Sequence, residues 1–153
     1  MKIYLVGSLR NPDVPLLAGR LRAAGHEVFD DWYAAGPRAD DHWMEYEQQR
    51  GHSYLEALDG YAAQHVFEYD LFHLNRCEVG IMMLPAGKSG HLELGYMIGG
   101  GKPGFIFMPS GEPERYDVMY RFATKVFYSE EDMVRHLSSM GPQNGQDMRQ
   151  DKM

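Results

Sequence analysis

Short apolar runs alternate with segments of helical periodicity along the first part of the chain. Lys2–Val6 is an apolar run typical of a buried strand, and residues 13–24 carry apolar side chains at helical spacing before Gly25 ends the pattern. Glu27–Phe29 predicts a second short strand. A strand, a helix and a strand joined by brief loops indicate a parallel α/β unit.

The same alternation returns in the second half of the chain. Two apolar strands are predicted at residues 78–84 and 105–108, with a helix between them at residues 90–98 and a last strand and helix at 125–128 and 130–140. The pattern predicts one α/β domain over residues 1–140. We expect a Rossmann-like or flavodoxin-like parallel sheet of about five strands flanked by helices.

Three segments depart from this rhythm. Residues 30–52 are polar, rich in aromatic side chains and interrupted by turn signals, so we expect an irregular insertion that acts as a lid or binding loop. Residues 53–76 predict one long helix that begins with a capping box of Ser53 and Glu56. Residues 141–153 are polar and rich in Gln, which predicts a flexible tail or a segment that docks on a partner.

Composition narrows the class of protein. The 153 residues are 44% hydrophobic with a net charge of −7, which fits a globular domain and argues against a partner that is a nucleic acid polymer. No apolar run approaches the length of a membrane span, and the single Cys77 excludes an internal disulfide, so we expect a cytoplasmic protein. The histidines show no tight metal-ligand spacing, and neither a P-loop nor a dinucleotide fingerprint is present. We therefore expect no metal and no cofactor.

Two loops follow predicted strands at the edge of the sheet where ligands of such folds bind. They are residues 7–11 and residues 85–90, and Gly7 and Gly90 let the backbone approach a ligand closely. Each loop combines a hydroxyl with a cation: Ser8 with Arg10, and Ser89 with Lys88. Both loops are predicted to bind oxygen atoms of a ligand.

Two carboxylates are candidates for chemistry. Glu93 is predicted to lie in the first turn of its helix, where the helix dipole holds a carboxylate ionised and facing the cleft. An ionised, positioned carboxylate can attack a sugar carbon; the alternative is a solvated residue that only complements the dipole. Asp70 lies late in the predicted long helix among apolar neighbours, and the alternative for it is an exposed helix position.

Aromatic side chains complete the candidate site. Tyr4 is either a core tyrosine or a residue whose hydroxyl reaches Glu93 from below. Trp32, Trp43 and Tyr46 either stack on a flat base or attach the insertion to the core. The predicted substrate-binding residues are Gly7, Ser8, Arg10, Ser89, Gly90 and Trp32.

Ordered segments of the chain resemble the nucleoside 2-deoxyribosyltransferase superfamily, which includes 2'-deoxynucleoside 5'-monophosphate N-glycosidases. The segments are Ile-Tyr-Leu-Val-Gly-Ser-Leu-Arg at 3–10, Tyr-Asp-Leu at 69–71, Gly-His-Leu-Glu-Leu-Gly-Tyr at 90–96 and Gly-Lys-Pro at 101–103. The resemblance implies that Glu93 is the nucleophile at C1' and that Asp70 handles protons at the leaving base. It also implies that the Tyr4 hydroxyl orients the nucleophile.

The resemblance implies further roles for the loops. The segment from Gly7 to Arg10 is similar to the phosphate-side loop of the monophosphate glycosidases, and Ser89 lies near the serine with which the family binds sugar or phosphate. Members of the family assemble as dimers or larger homo-oligomers, so the same is expected here.

These observations predict an enzyme that cleaves the N-glycosidic bond of a small nucleoside or nucleotide. The substrate is a (deoxy)nucleoside or its 5'-monophosphate, and the glycosyl group passes to another base or to water. The alternatives are a catalytically silent module that senses a nucleotide in the same cleft, and a structural interaction domain. The two carboxylates favour the enzyme, because a protein that only binds has no need of both.

Overall fold

The computed structural model describes residues 1–141 and contains the five strands that the apolar runs predict. They are β1 (Lys2–Val6), β2 (Glu27–Phe29), β3 (Val79–Met83), β4 (Gly104–Phe107) and β5 (Lys125–Phe127). Every neighbouring pair is parallel, in the order β2-β1-β3-β4-β5. This is the strand order of flavodoxin-like folds, so the predicted fold class is confirmed.

Six α-helices accompany the sheet within the described residues. They are α1 (Asp13–Ala23), α2 (Ala39–Gln49), α3 (Tyr54–Leu58), α4 (Tyr61–Arg76), α5 (Lys88–Gly99) and α6 (Glu130–Ser139). Because successive strand residues point to opposite faces, the core divides into two clusters. Ile3 and Leu5 of β1 pack with residues of α1 and α6, whereas Tyr4 and Val6 pack with residues of α4 and α5. Within residues 1–141, no helix has both the length and the apolarity of a membrane span.

The order of the sheet reverses between β1 and β3, and the loops after these two strands open into one crevice. α5 follows β3 and approaches β1 closely at Gly90. A Cβ atom at this position would lie 2.9 Å from Val6 Cγ1, so glycine is what allows the first turn of α5 to reach the sheet. The two loops predicted to bind a ligand therefore meet at the switch point.

The prediction of an irregular insertion at residues 30–52 is wrong. The segment forms a 3-10 turn at Asp31–Ala35 and then the regular helix α2. The turn signals end the 3-10 segment at Gly36, and the residues that follow include good helix formers with acidic side chains in the first turn of α2. Only Glu47 of α2 is buried, and its Oε2 lies 2.6 Å from Nδ1 of His52.

The predicted long helix at residues 53–76 is broken in two. α3 ends at Leu58 and α4 begins after Gly60, whose extended backbone serves as the N-cap. The predicted capping box is confirmed: the Glu56 amide donates to Ser53 Oγ at 3.2 Å, and the Ser53 amide donates to Glu56 Oε1 at 3.0 Å. A short 3-10 turn at Val118–Phe122 was not predicted. Beyond Gly141 the predicted tail lies outside the described residues.

Candidate active site

A cavity of about 510 Å³ lies at the switch point of the sheet. Its walls come from the loops after β1 and β3, from the 3-10 turn and from α2, α4 and α5. Of the nine predicted site residues, eight line it: Gly7, Ser8, Arg10, Trp32, Asp70, Ser89, Gly90 and Glu93. The topology therefore brings together residues from distant parts of the chain.

The ninth predicted residue, Tyr4, lies in the core of the protein at 0% exposure. Its hydroxyl meets full hydrogen-bond geometry with no group among the described residues. It is nevertheless close enough to Glu93 to lower the pKa of that carboxyl. Burial, and then the negative charges of Glu93 and Asp70, raise the pKa of Tyr4 far above its usual value, so the phenol keeps its proton and can only donate it to the carboxylate.

Glu93 differs from its prediction in one important respect. α5 begins at Lys88, so Glu93 is its sixth residue and lies in the second turn, beyond the strongest part of the helix dipole. Burial raises the pKa of Glu93 to about 7, the Tyr4 hydroxyl lowers it, and the negative charge of Asp70 raises it. The expectation that Glu93 lies in the first turn of its helix is wrong, because α5 begins at Lys88, and at the observed position desolvation raises the pKa of the carboxyl.

Asp70 faces the same cavity from α4. It is half-buried, and burial raises the pKa of its carboxyl above the usual value. The sequence left open an exposed position for both Asp70 and Glu93, and the structure excludes it for both residues. Two carboxyl groups with raised pKa values in one cavity are the arrangement expected at a catalytic site.

The loop after β1 is folded by its own hydrogen bonds. The Arg10 amide donates to Ser8 Oγ at 3.1 Å, and the Asn11 amide donates to the Ser8 carbonyl at 3.1 Å. A Cβ atom on Gly7 would lie 2.8 Å from Val14 Cγ2, so the close packing of this loop on α1 requires glycine. The Arg10 side chain lines the cavity and is largely exposed.

The three aromatic side chains singled out in residues 30–52 have different positions. Trp32 lines the cavity and donates from Nε1 to the Leu5 carbonyl at 2.8 Å, which fixes its ring beside β1. Trp43 packs against Tyr54 with 6.4 Å between ring centroids, and Tyr46 lies under Arg50. Neither Trp43 nor Tyr46 lines the cavity. Of the three, only Trp32 is therefore placed where it could stack on a flat base.

Sequence reasoning missed the contribution of α2. Asp40 and Asp41 in its first turn line the cavity, as does Val66 of α4. The signal was present as two adjacent acidic residues that precede a helical segment. It was overlooked because the segment was interpreted as irregular.

A second cavity of about 360 Å³ lies on the other side of α5. It is lined mainly by apolar residues, including Leu94, Ile98 and Ile106. At its edge His91 contacts the Tyr120 hydroxyl through Nε2 at 2.9 Å. Among the described residues, the two carboxyl groups with raised pKa values, those of Asp70 and Glu93, line the first cavity and not this one.

Comparisons with known proteins bear on the fold. No protein-family model matches the sequence, and comparison with curated proteins gives no significant match. Among solved structures, the chain is similar to a 2-deoxyribosyltransferase from Bacillus psychrosaccharolyticus, with 23% identity and a TM-score of 0.58 over 88% of this chain and 90% of that one. It is also similar to the CMP N-glycosidase BcmB of Clostridium botulinum, with 14% identity and a TM-score of 0.54 over 90% of this chain and 99% of that one.

A third similar structure is a conserved protein from Enterococcus faecalis, with 13% identity and a TM-score of 0.59 over 90% of this chain and 97% of that one. All three likenesses extend over most of both chains, so they concern the whole domain. The chain therefore has the fold of a 2-deoxyribosyltransferase and of a CMP N-glycosidase, which is the fold expected from the resemblance in its sequence.

Proposed function

We propose that this protein is an enzyme of the nucleoside 2-deoxyribosyltransferase superfamily that cleaves the N-glycosidic bond of a nucleoside or its 5'-monophosphate. The observation that carries the proposal is that Asp70 and Glu93 line one cavity with both carboxyl groups shifted to a higher pKa, while the buried Tyr4 hydroxyl lies beneath it close to Glu93. The fold shared with a 2-deoxyribosyltransferase and a CMP N-glycosidase supports the same conclusion.

In the first step, the ionised carboxylate of Glu93 attacks C1' of the sugar. The bond between C1' and the base nitrogen breaks with its electron pair on the base, and protonated Asp70 donates a proton to the base. The transition state has oxocarbenium character, which the carboxylate stabilises. The Tyr4 hydroxyl, which cannot ionise here, orients the Glu93 oxygens.

In the second step, water or a second base attacks C1' of the glycosyl ester. The ester bond breaks, Glu93 regains its carboxylate, and Asp70 accepts the proton that the attacking group loses. The enzyme is a hydrolase when water attacks and a transferase when a base attacks. Trp32 provides a flat surface against which the base stacks.

The pKa shifts argue against a silent nucleotide sensor. Burying two carboxyl groups in one cavity costs free energy that binding alone does not require. A sensor would gain more from neutral hydrogen-bonding side chains at these positions. A pKa of about 7 for Glu93, and a raised pKa for Asp70, are instead the kind of shift found at functional sites.

The direct test uses a panel of deoxynucleosides, ribonucleosides and their 5'-monophosphates, with and without a second free base. We expect released base from at least one substrate, and a new nucleoside when the second base is present if the enzyme is a transferase. Tight binding of one compound with no turnover of any would establish the sensor and refute the enzyme. The free base is measured by liquid chromatography.

Tyr4→Phe gives a prediction about pH. Because the hydroxyl lowers the pKa of Glu93, its removal should move the acidic limb of the kcat/KM profile to higher pH. We expect kcat/KM at pH 7 to fall roughly tenfold, as for the loss of a donor to a charged group. Tyr33→Phe is the matched control, since Tyr33 packs beside Trp32 away from Glu93. An unchanged profile would remove Tyr4 from the mechanism.

We further propose that the protein assembles as a homodimer or larger homo-oligomer. Large apolar side chains are exposed on α4, on α5 and on the 3-10 turn after β4: Phe67 at 64%, Leu92 at 76% and Phe122 at 70%. Apolar surface of this kind is typical of a protein interface. Sedimentation should show a dimer or larger species, and Leu92→Glu should dissociate it. A monomer at micromolar concentration would refute the assembly.

The cytoplasmic location stays a prediction.

A further inference from the structure

One ion pair at the mouth of the cavity has no part in the chemistry described so far. Nη2 of Arg10 lies 3.9 Å from Oδ2 of Asp41, and Nε of Arg38 lies 3.9 Å from the same oxygen. Arg10 belongs to the loop after β1 and Asp41 to the first turn of α2. The pair therefore connects two of the elements that line the cavity.

Arg10 is the side chain best suited to bind a 5'-phosphate at this place. A guanidinium matches the geometry of a phosphate, and this one is 76% exposed. Its one ion-pair partner among the described residues is Asp41, whose side chain is 42% exposed and lines the cavity itself. A phosphate that binds Arg10 from within the cavity lies close to the Asp41 carboxylate.

The acidic side chains that line the cavity also disfavour a phosphate group. Among the described residues, Asp40 and Asp41 line it in addition to Asp70 and Glu93, of which the proposed mechanism needs one protonated and one ionised, against two basic side chains, Arg10 and Lys88. A 5'-phosphate brings a charge of about −1.5 to −2 at neutral pH, and like charges at short range repel strongly where water is partly excluded. A neutral 5'-hydroxyl meets no such repulsion and can donate a hydrogen bond to a carboxylate.

We propose that Asp41 is a specificity-determining residue that makes this cavity select nucleosides over their 5'-monophosphates by occupying Arg10. The inference rests on the proposed function for the identity of the substrate. It assigns Asp41 to recognition of the 5' end and gives it no part in the bond cleavage.

The experiment compares each common 2'-deoxynucleoside with its own 5'-monophosphate, so that base preference cancels in the ratio. Wild-type protein should turn over the nucleoside with the higher kcat/KM. Asp41→Asn should raise the ratio of monophosphate to nucleoside about tenfold, as expected for removing one nearby like charge. This rise in the ratio should disappear in the double variant Arg10→Ala/Asp41→Asn, because no guanidinium is then present to bind the phosphate.

Glu45→Gln is the matched control. Glu45 lies on the same helix, its substitution changes the net charge equally, and its Oε1 is paired with Arg38 at 3.2 Å, but it does not line the cavity. The substrate ratio of this variant should stay within about twofold of wild type, whereas a global charge effect would move it as far as Asp41→Asn.

Binding separates this inference from the proposed function. Titration calorimetry in a Glu93→Gln background measures the affinities for the same two ligands without turnover. If no variant releases base but Asp41→Asn still shifts the binding ratio, the enzyme is refuted and the selectivity stands. A wild-type preference for the monophosphate, binding of neither ligand, or an unchanged or lowered ratio in Asp41→Asn would overturn the inference; a lowered ratio would mean that Asp41 positions Arg10 for phosphate.

Discussion

Glu93→Gln is expected to abolish base release. The amide cannot form the glycosyl ester, and loss of a nucleophile typically costs at least about 10⁴-fold in kcat. The measurement is release of free base from the substrate identified in the panel. Glu114→Gln provides the same chemical change at an exposed position far from the cavity lining and should keep wild-type rates. Wild-type turnover by Glu93→Gln would refute the assignment of the nucleophile.

Two further observations tie the loss to the nucleophile itself. Mass spectrometry of enzyme quenched during turnover should show a glycosyl adduct on the peptide that contains Glu93, and none in the variant. Glu93→Ala opens space for a small external anion, so formate or azide should restore part of the base release. An enzyme that activates water directly would show neither the adduct nor the rescue.

The same substitution should change how stability depends on pH. Because the pKa of Glu93 is raised from 4.5 to about 7, folding favours its protonated form. The contribution of this group is fully present below about pH 4.5 and is lost as the pH rises through about 7. Relative to Glu93→Gln, wild type should therefore lose on the order of 3 kcal/mol between pH 5 and pH 8, measured by urea unfolding. A constant difference between the two proteins would show that the carboxyl is not desolvated.

Asp70→Asn has the second largest expected effect. An amide cannot donate the proton that the leaving base requires, and general acid catalysis contributes about 10²- to 10⁴-fold. The fall of kcat/KM at alkaline pH that comes from deprotonation of Asp70 should also disappear, because the amide has no proton to lose. Tyr4→Phe acts on the acidic limb instead, so the two variants test the cluster independently.

The choice of leaving group tests whether Asp70 acts as a general acid. A substrate whose leaving group departs without a proton should lose far less rate in Asp70→Asn than a natural nucleoside does. Glu68→Gln on the same helix should have no effect, since Glu68 is exposed and accepts a hydrogen bond from Gln64. Equal losses for both classes of leaving group would assign Asp70 to positioning.

The strands and the meeting of the two loops could be predicted because they depend on local signals. Buried parallel strands are nearly continuous apolar runs, and parallel strands must present their carboxyl ends at one edge. Glu93, Asp70 and Arg10 could be singled out because each lies in a segment that resembles the nucleoside 2-deoxyribosyltransferase superfamily. Their pKa shifts could not be predicted, because desolvation is set by neighbours that are distant in sequence.

α2 shows the opposite case. Its residues are mostly polar and only Glu47 is buried, so no apolar stripe distinguishes the helix from a loop. The turn signals at Gly36 and Pro37 suggested an irregular segment, although they mark only the boundary before the helix. With α2 unrecognised, Asp40 and Asp41 could not be assigned to the cavity.

The loose attachment of α2 has a consequence for how this scaffold can change over evolutionary time. Asp41, which we propose selects the substrate, lies on a helix that contributes one buried side chain, whereas the proposed nucleophile lies on α5, which Gly90 allows to pack closely against β1. Exposed positions of α2 can therefore mutate at little cost in folding free energy. On the proposed function, new substrate preferences can arise there by drift and selection without disturbing the proposed catalytic residues on α4 and α5.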